Sequence, residues 1–256
     1  MIRILAIFLL ALFPVIFQAH AKEIISITGA GPSIDITEKF VSVLRENPWI
    51  EDRYQFRLDP LSTKHAGGIK NTKQHLFGRT GRPLTADEKV IGRDEIFLAK
   101  IPTVFVTSRS VGIERITLEE LRSIYDRSIA NWSRLGGKDI PIFLIGREKS
   151  ESIFLQLKQT YPFFNSARFD IILHNDTAVK NYLKYSSKNG LAFGSAPNLI
   201  PYHQIQVEGM NLARKVGFVF DINNRSHPLI KIVIDNAESK QWKDRLILWG
   251  YQPAGP

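Results

Sequence analysis

The chain has 256 residues and no cysteine, which excludes disulfide staples, thiol nucleophiles and thiolate metal ligation. Its folded state must therefore rest on core burial, which a chain this long can supply. No internal repeat and no low-complexity linker interrupts it, so a solenoid or a tethered array is not expected. Histidine is sparse and solitary beyond the N-terminal segment: His65, His75, His174, His203 and His227 form no metal-ligand spacing, and no metal site is expected. There is no Gly-x-Ser-x-Gly elbow and no P-loop lysine. No nucleophile–base pair can be named, so a non-catalytic protein without a cofactor is the expectation.

Long apolar runs are scarce as well. One exists, Ile4 to Phe17, broken by Pro14, preceded by Arg3 and followed by Ala19-His20-Ala21. A positive start, a short apolar stretch and a small-x-small site form the pattern of a secretory signal peptide over residues 1–21, cleaved after Ala21. The run is shorter than the ~20 residues a membrane span needs, and no later stretch approaches that length. A retained anchor is the alternative. Net charge is +9, and loss of Arg3 with the signal leaves +8. Such an excess concentrates anions. Export makes nucleic acid an unexpected partner.

Short β-rich runs alternate with helical periodicity, which predicts open α/β sheets. Ile24 to Thr28 reads as a buried strand, followed by a glycine turn and by Ile36, Phe40, Val43 and Leu44 on one helix face. Tyr54 to Leu58 reads as a strand and Gly68 to Phe77 as a helix. Ile96 to Thr107 is a long apolar stretch suited to a strand running between domains. Thr117-Leu118-Glu119-Glu120 is a capping box opening a helix. Strands are expected over 140–145, Phe169 to Leu173, Leu191 to Gly194 and Val216 to Ile222. Helices are expected after Ser152, near 177–185, and at the end, with Trp242, Leu246 and Trp249 on one face.

Two places carry anion chemistry. Arg147, Ser150 and Ser152 stand where the run Ile140 to Ile145 gives way to the helix starting near Ile153. Free N–H groups and the positive helix end favour an oxyanion there, and arginine adds a fork of donors. The same residues would equally serve as a plain helix cap and a surface ion pair. At Thr28-Gly29-Ala30-Gly31-Pro32-Ser33, glycines allow close backbone approach and Ser33 offers a hydroxyl. An ordinary strand–turn–helix junction accounts for that stretch too.

In order along the chain, these segments resemble the phosphate-binding periplasmic proteins of ABC transporters. Thr28 to Ser33 is similar to that family's Thr-Gly-Ala-Gly-Ala-Ser/Thr. Ala66-Gly67-Gly68-Ile69 resembles its Ser-Gly-Gly/Ala-Gly-Val loop, and Gly78-Arg79-Thr80-Gly81-Arg82-Pro83-Leu84-Thr85 its Gly-Ala-Ser-Asp-Arg-Pro-Leu-Thr. Ile116 to Leu121, Ile129-Ala130-Asn131-Trp132 and Leu135-Gly136-Gly137 resemble its middle. Gly146 to Ser152 falls at its Arg-x-x-Gly-Ser-Gly-Thr. The resemblance implies an α/β, two-lobe, type II periplasmic-binding-protein-like (Venus flytrap) fold with a ligand cleft between the lobes. Residues 22–105 plus about 205–256 would form lobe 1, and about 106–204 lobe 2. It implies phosphate or a related inorganic oxyanion as ligand, with Gly31, Ser33, Gly67, Thr80, Arg82, Arg147, Ser150 and Ser152 around it. It further implies a periplasmic location and an ABC permease or membrane sensor as partner, which would read the closed state.

The departures fall on ligand positions. Gly81 replaces the aspartate that accepts the proton of dibasic phosphate in the family, which puts selectivity over sulfate in doubt. Ala66 replaces a serine donor. Ser150 and Ser152 match the Ser and Thr of the third motif only if one residue is deleted; without a gap, Glu151 stands in place of the serine, and a carboxylate facing an anion is unfavourable. Arg79 and Arg82 could compensate or could face solvent. These losses motivate a second expectation, a binding-fold domain acting as a periplasmic adaptor or sensor input.

Overall fold

The computed structural model describes residues 21–149, 151–174, 176–186, 188–200 and 202–255. The signal-peptide expectation for residues 1–20 and the expectation for Ser150 lie outside the described residues. The chain first builds β1 (Glu23–Ile27), α1 (Ile34–Arg45), α2 (Pro48–Arg53), β2 (Tyr54–Leu58), α3 (Lys64–Asn71), β3 (Gly78–Thr80) and α4 (Ala86–Val90). Strand β4 (Arg93–Thr107) then leads to β5 (Arg115–Thr117), α5 (Leu118–Tyr125), β6 (Phe143–Arg147), α6 (Ser152–Thr160), β7 (Ile171–Leu173) and α7 (Asp176–Tyr185). After β8 (Gly190–Ser195), α8 (Ala196–Leu199) and β9 (His203–Glu208), β10 (Ala213–Asp221) returns to the first part, closed by α9 (Pro228–Glu238) and α10 (Lys240–Leu248).

Strand β4, 15 residues long, spans about 50 Å at ~3.3 Å per residue. One end pairs antiparallel with β10, from Arg93↔Asp221 to Pro102↔Ala213. The other pairs with β8 and β9. Each end has its own core. Phe40, Phe77, Leu98, Phe218 and Trp242 belong to the first, and Phe105, Trp132, Phe164, Leu191 and Phe193 to the second.

Side chains alternate along β4, β6 and β8, as the two-residue period of a strand requires. Phe105, Leu144 and Phe193 enter the main second core, while Val106, Ile145 and Ala192 face a smaller cluster under α7 and α8. Strand β9 adds Ile205 and Val207 to the second core, so the chain leaves that core a few residues beyond the expected return at about 205.

Local signals explain much of this. Thr117 Oγ1 accepts from Glu120 N–H at 3.1 Å and Glu120 Oε2 accepts from Thr117 N–H at 2.7 Å, the reciprocal box expected at α5. Thr85 and Glu88 repeat it at α4. Trp242 is fully buried and its indole donates to the Leu98 carbonyl at 2.7 Å, pinning α10 to β4.

The expected helix Gly68 to Phe77 is instead Lys64–Asn71, with Phe77 leading into β3. Its glycines are packing residues. A Cβ on Gly68 would lie 2.2 Å from the Arg79 carbonyl oxygen, and one on Gly78 would lie 1.9 Å from the Gly68 oxygen. With only a hydrogen for a side chain, Gly68 and Gly78 let α3 lie directly on β3. The expected strand 140–145 is shifted to Phe143–Arg147, where Arg147 pairs with Leu173.

Candidate functional site

Where β4 and β10 cross between the two cores, Arg214 stands opposite Ile101. Around this crossing lies a cleft in two adjoining halves that share Gly31, Pro32, Ser152, Gln156 and Arg214. One half, of about 330 Å³, is lined by Ile34, Asp35 and Tyr251 from the first part of the fold and by Glu151, Ile153 and Pro197 from the second. The other, of about 570 Å³, is lined by Lys64, His65, Gly81, Arg82 and Lys215 facing Leu155 and Gln159.

Arg214 is the cation common to both halves. Its Nη1 donates to Ser152 Oγ at 3.1 Å, and Ser152 Oγ in turn donates to Glu151 Oε1 at 3.1 Å. Its Nη2 lies 3.5 Å from Gln156 Oε1. Burial lowers the guanidinium pKa, and the Glu151 charge works in the opposite direction. The group stays charged, because arginine starts far above neutrality.

Glu151 is the N-cap of α6, accepting from Phe154 N–H at 2.7 Å. Its carboxylate therefore holds the helix end where an external anion would otherwise sit. Asp35, in the first turn of α1, accepts from the Tyr251 hydroxyl at 2.6 Å and pairs with Lys39 at 3.2 Å. Burial, then the Asp35 hydrogen bond, push the Tyr251 pKa up, so the phenol stays protonated.

Of the residues expected around a ligand, Gly31, Arg82 and Ser152 line this cleft. Arg82 is not the free donor expected: Nη1 and Nη2 each bind a Glu88 oxygen at 2.9 Å. That pairing holds the Glu88 pKa down to about 2. His65, beside Glu88, has its pKa lowered by burial and then by the Arg82 charge.

Ser33 is fully buried, and its Oγ donates to the Ala30 carbonyl at 3.0 Å, closing the turn rather than facing the cleft. Thr80 is fully buried within β3. Gly67 sits inside α3 against the Thr63 side chain. Arg147 is 7% exposed and lines neither half of the cleft. The cause is the extra length of β6, which carries Arg147 into the sheet beside Glu148, with Nε 3.4 Å from Oε2.

Arg79 is also placed differently from a solvent-facing arginine. It is fully buried, with Nη2 donating to the Leu61 carbonyl at 3.0 Å. Nε and Nη1 have no hydrogen-bond partner among the described residues. Desolvation lowers its pKa, while Asp59 and Glu38 act in the other direction.

Sequence reasoning missed Arg214, Asp35 and Tyr251. Arg214-Lys215 does precede the strand-like run from Val216, and cations at the entry of a strand that returns between two cores were the available signal.

Known proteins share this fold. The phosphate-binding protein PstS of Borreliella burgdorferi is 34% identical over 138 residues, 54% of this chain and 48% of that protein. The matched segment thus spans about half the length of that relative. Among solved structures, an ABC-type phosphate transport receptor from Vibrio cholerae superposes with a TM-score of 0.64 at 18% identity, covering 90% of this chain and 99% of that one. PstS from Borrelia burgdorferi gives 0.61 at 20% identity, covering 91% and 99%. At those identities the superpositions establish the two-lobe periplasmic-binding-protein-like fold. Residues 18–195 match the PBP superfamily domain. The chain belongs to the PBP superfamily.

Proposed function

We propose that this chain is an exported solute-binding protein that captures phosphate or a related inorganic oxyanion between its lobes and presents it to an ABC-type uptake system. The observation that carries the reading is Arg214, a largely buried guanidinium at the junction of the lobes. It is joined in the wider half by Lys64 and Lys215, while Arg82 there is already paired with Glu88, and no carboxylate is among the described residues lining that half. A cationic cleft with low-dielectric walls concentrates anions and strengthens each charge-assisted hydrogen bond. The names of the phosphate-binding relatives point to the same ligand class.

In this reading the lobes comprise residues 22–105 plus about 205–256 and about 106–204; the two separate cores support a division into two lobes, with Phe105, Ile205 and Val207 at the boundaries packing into the second core. Closure about the β4–β10 crossing brings Gly31 and Ser152 toward the ligand beside Arg214, and a permease or membrane sensor reads the closed form. Periplasmic location follows from the N-terminal signal pattern. Among the described residues no helix is long and apolar enough to cross a membrane.

A second reading, a binding-fold adaptor or sensor input that transports nothing, is favoured by Glu151. Its carboxylate fills the α6 N-terminus in place of a ligand. Isothermal calorimetry of residues 22–256 with phosphate, sulfate and arsenate separates the two. Saturable heat with phosphate supports capture. No heat and no shift in melting temperature with any of them supports the adaptor.

A further inference from the structure

The two halves of the cleft differ in chemistry as well as size. The wider half presents Lys64, Arg82, Arg214 and Lys215. The narrower half, still about 330 Å³, presents two carboxylates, Asp35 and Glu151, beside the shared Arg214 and between apolar walls formed by Ile34, Ile101, Ile153 and Pro197. Pockets of this volume and lining hold small organic molecules. A bare tetrahedral oxyanion fills only a fraction of such space, gains nothing from aliphatic walls and is repelled by two carboxylates.

Because Arg214 and Ser152 belong to both halves, one ligand can span them. Its anionic end would meet Arg214 and Lys215, and its arm would run between the isoleucines toward Asp35 and Glu151. Both carboxylates have accepting capacity beyond their present partners, since each ionised carboxylate offers about four lone-pair sites.

Resting on the anion-capture reading above, we propose that the preferred ligand is a tetrahedral phosphorus oxyanion bearing a short aminoalkyl arm, its ammonium held by Asp35 and Glu151. The cleft selects by charge division: the anion is recognised in the wider half and the cation in the narrower. Replacement of the arm by a neutral alkyl group leaves both carboxylates facing an uncharged chain, and removal of the arm leaves the narrower half empty.

Calorimetry of the exported chain tests this with paired probes: O-phosphorylethanolamine against ethyl phosphate, 2-aminoethylphosphonate against ethylphosphonate, and inorganic phosphate. At least tenfold tighter binding of the amine-bearing member is expected in one pair or both, and the pair with the larger ratio tells an ester from a phosphonate. Asp35→Asn and Glu151→Gln, each verified as folded by circular dichroism, are expected to shrink that ratio at least threefold. Equal or weaker binding of both amine-bearing probes overturns the proposal while leaving anion capture intact. Absence of binding by all five overturns anion capture and the proposal with it. The wild-type ratio decides even if neither variant folds.

Discussion

Arg214 and Ser152, 62 positions apart in sequence, meet across the cleft at 3.1 Å and join the returning strand β10 to the first residue of α6. The contact links both walls of the candidate site, and Glu151 stands behind it as the helix cap. The Glu151 charge beside Arg214 therefore competes with an anion held by that guanidinium.

Substitution at Glu151 should expose that competition. Glu151→Ser retains a capping oxygen while removing the negative charge beside Arg214. Phosphate affinity is expected to rise about tenfold, the value of one charge-assisted hydrogen bond no longer opposed. Melting temperature should change little. Unchanged or weaker phosphate binding in a folded variant would show that the Glu151 charge does not oppose an anion at Arg214.

Arginine 214 and arginine 147 make contrasting predictions. Arg214→Met should weaken phosphate binding ten- to a hundredfold by calorimetry, corresponding to about 1.5–3 kcal/mol per charged hydrogen bond. Arg147→Met should weaken it less, because that side chain lines neither half of the cleft. A reversed order would return the family's usual arginine to the ligand.

The contrast also shows where sequence was readable. The Thr117–Glu120 box, the strand Tyr54–Leu58 and the inter-core strand β4 were legible because caps, β-rich runs and long apolar stretches are local signals. The sequence pattern predicts the helix only from Gly68, to Phe77, and Gly67-Gly68 resembles a family loop, whereas α3 runs over Lys64–Asn71. The place of these glycines within α3 depends on β3, ten residues onward, which no local window contains. Arg147 was placed by motif order, but the strand carries it two positions beyond its apolar run. Arg214 has no motif at all; only the pairing of β10 with β4 puts it in the cleft.

Acid titration should find the Arg82–Glu88 pair. The folded-state pKa of Glu88 is depressed to about 2 by the Arg82 hydrogen bonds. Its contribution is therefore full above the unfolded value near 4.5 and is lost as pH falls toward 2. Glu88→Gln should cost about 1–3 kcal/mol in urea unfolding at pH 7, allowing for solvent screening at half-exposed Arg82. That difference should shrink steadily below pH 4.5. A difference independent of pH would assign the effect to the helix cap alone.

Buried Arg79 should be replaceable. With Nε and Nη1 unpartnered among the described residues, its charge is desolvated with little return. Arg79→Met keeps the length of the stem and is expected to raise stability by about 1–3 kcal/mol. A fall of similar size in denaturant unfolding would mean that the guanidinium is satisfied by groups such as buried water.

Close contact between α3 and β3 supplies a third stability test. Gly78→Ala would bring a Cβ to 1.9 Å from the Gly68 carbonyl oxygen, a backbone atom that cannot swing aside. The loss should exceed about 3 kcal/mol, well beyond that of an ordinary surface substitution. A near-wild-type melting temperature would contradict the packing of these two elements.

The most direct test of the central claim is the location of phosphate in a crystal structure of the exported chain grown with saturating phosphate. The account predicts phosphate oxygens about 3 Å from the Arg214 guanidinium, with Ser152 and the Gly31 turn on opposite sides. Phosphate bound beside Arg147 and away from Arg214, or an empty cleft at saturating concentration, would contradict it.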